Sequence, residues 1–180
     1  MATEASGDPF GVLGLERTFG LERRAVEAAA RRRLALLHPD LAAGDAAAQE
    51  RAEAETARVN AARAMLVDPE RRANALLALL GGPGASDDDT LPDGFLMEIM
   101  EARQAAEFGD EAGDQPGDGG TDWSAWADQR REALIDEVGG LFNAAQTGEE
   151  RERAALLARA RCALNAWRYI ERMREQLPSE

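Results

Sequence analysis

The chain has 180 residues, 44% hydrophobic and 31% charged, enough for one domain or two small ones that bury a core without a disulfide or metal staple. All 21 basic residues are arginine, which excludes lysine Schiff-base and P-loop chemistry; one cysteine (Cys162) and one histidine (His38) exclude a disulfide framework, a zinc finger and any Cys/His-built metal site. The net charge of −13 is uneven: residues 1–80 carry 11 arginines against 12 acids and residues 81–180 carry 10 against 22, which argues against nucleic acid and anionic membrane as partners.

Alanine is abundant and aromatics make up only 5%, so the expected class is all-α. Asp8 caps a short first helix with Pro9 at its first position; Phe10, Val12, Leu13 and Leu15 supply its apolar residues and Gly14 ends it. A second helix spans about 22–37, with Val26, Ala30, Leu34 and Leu37 as its buried stripe and Arg23, Arg24, Arg31, Arg32 and Arg33 mostly off it. Proline in His38-Pro39-Asp40 stops that helix. A third spans about 46–67, with Ala52, Val59, Ala62 and Leu66 inward; Asp68-Pro69 breaks it and starts a fourth, to about 80.

Residues 81–90 (GGPGASDDDT) have a flexible composition and mark a domain boundary. A fifth helix follows over about 92–108, then a solvated loop at 109–121 (GDEAGDQPGDGGT), then two long helices over about 122–145 and 148–177. On the last, Leu156, Ala160, Ala163, Trp167 and Ile170 make one apolar stripe, and Cys162, Tyr169 and Met173 fall on another side. No apolar stretch approaches the ~18 residues of a membrane span, and the start (MATEASGD) has no apolar signal region, so a cytoplasmic protein is expected.

His38-Pro39-Asp40 alone is a modest signal, since a histidine near a helix C-terminus suits the dipole and proline ends helices anyway. Its setting sharpens it. It sits between a basic helix and a third helix that closes with VNAARAMLVDPERR (59–72). Together these resemble the J-domain of Hsp70 co-chaperones, with an HPD between helices two and three and an I/V-N-x-A-x-x-x-L-x-D-P-x-x-R signature. The resemblance implies a four-helix unit over 1–80 that docks on ATP-bound Hsp70 through His38, Pro39, Asp40, Arg31 and Arg32 and triggers ATP hydrolysis. Leu37 and Leu41 depart from the aromatic and basic residues that many J-domains carry beside the motif.

The second half narrows the family. LPDGFLMEIMEAR (91–103) is similar to the F-L-M-E-x-M/L-E-x-R segment that opens the C-terminal bundle of HscB-type co-chaperones of iron–sulfur cluster biogenesis. RANALLAL (72–79) resembles that family's R-A-E-Y-L-L-x-L, and WRYI (167–170) its L-R-F/Y-L. The resemblance implies a linker at 81–91 and an antiparallel three-helix bundle over 92–180. Its client face is an apolar patch with an acidic edge that binds the cluster scaffold protein, which places Leu96, Met97, Met100, Glu101 and Tyr169 there. Positions 96, 97 and 100 share one helix face, and methionine suits a surface that repacks around a partner.

These readings lead to a non-enzymatic co-chaperone with no metal or cofactor of its own, which binds an iron–sulfur scaffold protein and presents it to a specialised Hsp70. A J-domain co-chaperone with a different client is the alternative. An enzyme using His38 and Asp40 is disfavoured because residues two apart at a helix end seldom aim together. A purely structural acidic adaptor leaves the HPD setting unexplained.

Overall fold

The computed structural model describes residues 7–37, 45–111 and 123–175, and gives only the backbone of 105–111. Seven helices and no strand occur among the described residues, and the chain divides into two compact units, Met1–Gly81 and Gly82–Glu180.

The first unit holds four helices whose ends follow local chemistry. In α1 (Pro9–Leu13) the Asp8 carboxylate accepts from the Phe10 amide at 3.0 Å, and Gly14, at φ 67°, adopts the left-handed cap that terminates the helix. In α2 (Arg23–Ala35) Val26, Ala29 and Ala30 are buried, with Arg32 and Arg33 at the C-terminal end where cations complement the dipole. Asp45 caps α3 (Ala46–Val67) by accepting from the Ala47 and Ala48 amides. Asp68 ends α3 and caps α4 (Pro69–Leu79), accepting from the Arg71 amide at 3.0 Å. The core joins Phe10, Val26, Ala30, Val59, Leu66 and Leu76.

Some inward positions differ from the sequence expectation. Leu34, Leu37 and Ala52 are only half-buried, because the C-terminal end of α2 and the first turns of α3 lie at the margin of this core. Arg72 was not expected inside, yet it is buried: it donates to the Leu66 carbonyl at 2.7 Å, and its guanidinium lies 5.4 Å from the Phe19 ring centroid. Burial pushes its pKa down, and the nearby Asp68 charge pushes the other way.

The second unit is built on α6 (Trp123–Thr147) packed against α7 (Glu150–Glu175), with α5 (Phe95–Glu111) alongside. Buried alanines (Ala127, Ala145, Ala160, Ala163) let the two long helices approach closely. At their junction Gly148 is required: a Cβ there would meet the Ala144 carbonyl oxygen at 2.7 Å. Glu171 ties the pair together. Its carboxylate accepts from Arg131 Nε at 2.6 Å and from the Trp167 indole at 2.8 Å, and Arg174 bridges onward to Asp128 at 2.6 Å. Burial raises the Glu171 carboxyl, but the hydrogen bonds from Trp167 and Arg131 outweigh it and hold the group below its ordinary value.

One boundary shifts. Helix α5 continues to Glu111, three residues past its expected end at 108; 112–122 lie outside the described residues. The stretch read as a flexible linker is also partly tethered. The Asn165 amide donates to the carbonyls of Asp88 and Thr90, both at 3.0 Å, while Arg161, buried in α7, donates to Asn165 Oδ1 at 3.0 Å and fixes the amide's orientation.

Candidate functional site

Helix α5 has a buried stripe and an open face. Phe95, Ile99 and Ala102, spaced four and three apart, point into the bundle. Phe95 meets the Tyr169 ring edge-on, at 5.8 Å between centroids and 84° between planes, and the Arg130 guanidinium of α6 lies 5.8 Å from the centroid of the Phe95 ring. Arg130 also holds Glu98, with Nε 3.0 Å from the carboxylate. These contacts fix the rotation of α5 about its own axis. What remains outward is apolar: Leu96, Met97 and Met100 are 51%, 65% and 70% exposed. Monomeric surfaces rarely group large apolar side chains in this way without a partner to cover them. Glu101 is exposed one turn beyond Met97, and Tyr169 is half-buried against Phe95. All five residues assigned to the client face therefore lie on α5 or next to its first turn.

In the first unit, Arg31 and Arg32 stand exposed in the last turns of α2. Neighbouring Arg33 is committed elsewhere, its Nε donating to the Val12 carbonyl at 3.0 Å. Glu27 ties α2 to α3 by accepting from Arg63 twice, at 2.6 and 2.8 Å, and this pair holds the Glu27 carboxyl below its ordinary value. Leu36, next to the helix end, is 70% exposed. His38, Pro39 and Asp40 lie outside the described residues. Among the described residues no group of three or more His, Cys, Asp or Glu is placed to hold a metal ion, and no helix is long and apolar enough to cross a membrane.

No family model matches the chain. The co-chaperone protein HscB homolog of Ralstonia nicotianae is 33% identical to it over 141 residues, which is 77% of this chain and 79% of that protein. The chain belongs to the HscB co-chaperone family. The HscB homologs of Paraburkholderia phymatum (38% identical over 100 residues) and Azoarcus (36% over 116) match 54% and 63% of this chain. These alignments span 57% and 66% of the two relatives, less than two thirds of either. In fold, the chain is similar to human co-chaperone protein HscB (TM-score 0.68, 20% identity, 98% of this chain and 83% of that one). It is likewise similar to chaperone HscB from Vibrio cholerae (TM-score 0.60, 22% identity, 96% and 100%).

In this HscB-family chain, the residues that the sequence reading passed over are those that hold the face in place. Arg130 and Asn165 carry no motif of their own. Only the positions of aromatics and arginines at helical spacing hinted at them, and pairing across helices cannot be read from spacing alone.

Proposed function

We propose that this chain is a J-protein co-chaperone of iron–sulfur cluster assembly. Its second unit binds an iron–sulfur scaffold protein through Leu96, Met97, Met100, Glu101 and Tyr169. Its first unit engages a specialised Hsp70 through His38, Pro39, Asp40, Arg31 and Arg32, so that the scaffold is delivered and Hsp70 ATP hydrolysis rises. The hydrolysis belongs to the Hsp70; this chain docks and contributes no reacting group. The setting is the cytoplasm.

The observation that carries the reading is the open apolar face of α5 in a chain of this family. Two large methionines and a leucine are costly to leave in water and favourable to cover, and methionine adapts to an irregular partner surface. The motif at 38–40 supplies the second contact. Pro39 fixes the local backbone, Asp40 offers a carboxylate for a charge-assisted hydrogen bond to an arginine, and Arg31 and Arg32 steer encounter with an acidic surface.

The test is Hsp70 turnover with and without the scaffold. Turnover rises with the wild-type chain, rises further with scaffold present, and does not rise with His38→Gln. Equal stimulation by His38→Gln refutes the Hsp70 contact. Stimulation without any scaffold binding reassigns the client.

A further inference from the structure

Resting on the reading of α5 as the docking face, we infer that Arg103 forms a fixed basic edge of that face and pairs with a carboxylate on the docked scaffold protein. The face is then charged across its width and admits its partner in one orientation.

The helical wheel of α5 gives the layout. At 100° per residue, the positions that follow the buried stripe of Phe95, Ile99 and Ala102 come in the order Arg103, Leu96, Met100, Gln104, Met97, Glu101, Glu98, with the neutral Gln104 one turn beyond Met100. The apolar residues are therefore bracketed by arginine on one side and two glutamates on the other. Glu98 is already paired with Arg130 at 3.0 Å. Glu101 is exposed and has no ion pair among the described residues. The two charged groups left for a partner are Glu101 and Arg103, on opposite borders.

An exposed arginine is ordinarily worth little, because ordering its side chain offsets the ion pair it makes. Arg103 differs in being held. Its guanidinium lies 6.0 Å from the Trp123 ring centroid, and Trp123 stacks on Trp126 with centroids 4.8 Å apart and planes 14° from parallel. Two indoles one helical turn apart make a rigid platform, and a guanidinium over an indole face keeps its charge and its edge N–H donors. Much of the side-chain entropy that a carboxylate contact costs is thereby lost in advance. Arg103 is exposed and has no ion pair among the described residues, so its N–H donors can meet a partner's carboxylate. The partner chemistry follows: an apolar protrusion with a carboxylate on one flank and a cation on the other. A partner docked in the reverse sense sets like charges against each other and is rejected.

The experiment titrates the full chain with the iron–sulfur scaffold protein of the same organism, by calorimetry and stopped-flow, at low and high salt. Arg103→Gln weakens binding about tenfold, mainly through slower association, and flattens the salt dependence, while thermal unfolding is unchanged. Trp123→Ala weakens binding by about threefold and adds nothing in the Arg103→Gln background, whereas Trp123→Phe keeps the aromatic face and binds nearly as wild type. Arg103→Gln binding like wild type at both salt levels, while Leu96→Ala/Met97→Ala/Met100→Ala does not bind, overturns this inference and leaves the docking face standing. A triple variant that binds as wild type, or a wild-type chain that ignores the scaffold, overturns the docking reading and the inference with it.

Discussion

Phe95 and Leu96 are adjacent in sequence and lie on opposite sides of the bundle surface, at 1% and 51% exposure. Their alanine variants should therefore fail in opposite assays. Phe95→Ala removes a fully buried ring, its edge contact with Tyr169 and the Arg130 guanidinium above it. Truncation of a buried phenylalanine costs about 3–5 kcal/mol, of which the aromatic pair accounts for about 1 and the cation–π contact for up to about 1. Leu96→Ala removes a half-exposed side chain and should change stability by no more than about 0.5 kcal/mol. In binding the order reverses: Leu96→Ala costs about 1–2 kcal/mol of scaffold affinity, roughly 5- to 30-fold, as a central interface anchor does. Urea unfolding followed by circular dichroism reads the first quantity and calorimetric titration the second. Amide exchange along 95–104 tells undocking of α5 from global unfolding, because undocking alone exposes that helix while α6 and α7 stay protected. A stability loss above about 2 kcal/mol for Leu96→Ala, or none for Phe95→Ala, would refute the assigned rotation of α5.

Asn165→Ala leaves the Asp88 and Thr90 carbonyls without their donor and should cost about 1–3 kcal/mol, with faster exchange confined to the stretch before α5; uniform exchange changes would argue against the tether. Glu171 has a lowered pKa in the folded state, so its stabilisation is present above the unfolded carboxyl value and is lost as pH falls through the folded one. Acid titration of stability should thus be steeper for wild type than for Glu171→Gln, and the variant should be less stable at neutral pH; superimposable acid limbs would contradict this. Arg72→Ala loses the Leu66 carbonyl contact and the packing on Phe19, and should destabilise the first unit by about 2–4 kcal/mol in urea unfolding; a loss under about 0.5 kcal/mol would place Arg72 at the surface.

The helices were legible because their ends are written in short-range chemistry. Asp8-Pro9, Asp45 and Asp68-Pro69 each cap the helix that the sequence reading started there, and Gly14 ends α1 as expected. The outward position of Leu96, Met97 and Met100 was only half legible. The 3.6-residue period groups them on one face but does not say whether that face is covered, and the answer came from Phe95, Ile99 and Ala102 taking the buried side. Buried arginines were not legible at all. Arg72 and Arg161 look like surface charges in a chain with 21 arginines; inside, Arg72 meets the Leu66 carbonyl and the Phe19 ring, and Arg161 donates to the Asn165 side chain. The tether at 88–90 was missed for the same reason: its sequence is that of a loop, and the residue that holds it lies 75 positions away.

The second unit resolves a conflict between stability and exposure. A helix that leaves three large apolar side chains in water gains little from that face, so its place must come from elsewhere. The α6–α7 pair is joined by alanine-lined packing and by the Glu171 network across it. Against that frame α5 is held by its first turns, through Phe95, Glu98 and Ile99, and by the tethered stretch before it. The outward residues are then free of any structural duty and can be chosen for a partner. The remaining hazard is self-association through the same face, and the charge pattern opposes it. Residues 81–180 carry 22 acids against 10 arginines, so two copies approaching through this unit repel each other, whereas a partner that brings a cation to Glu101 does not. Acidity of this half therefore disfavours a second copy of the chain at the proposed docking face, while a partner that brings a cation to Glu101 is not repelled in this way.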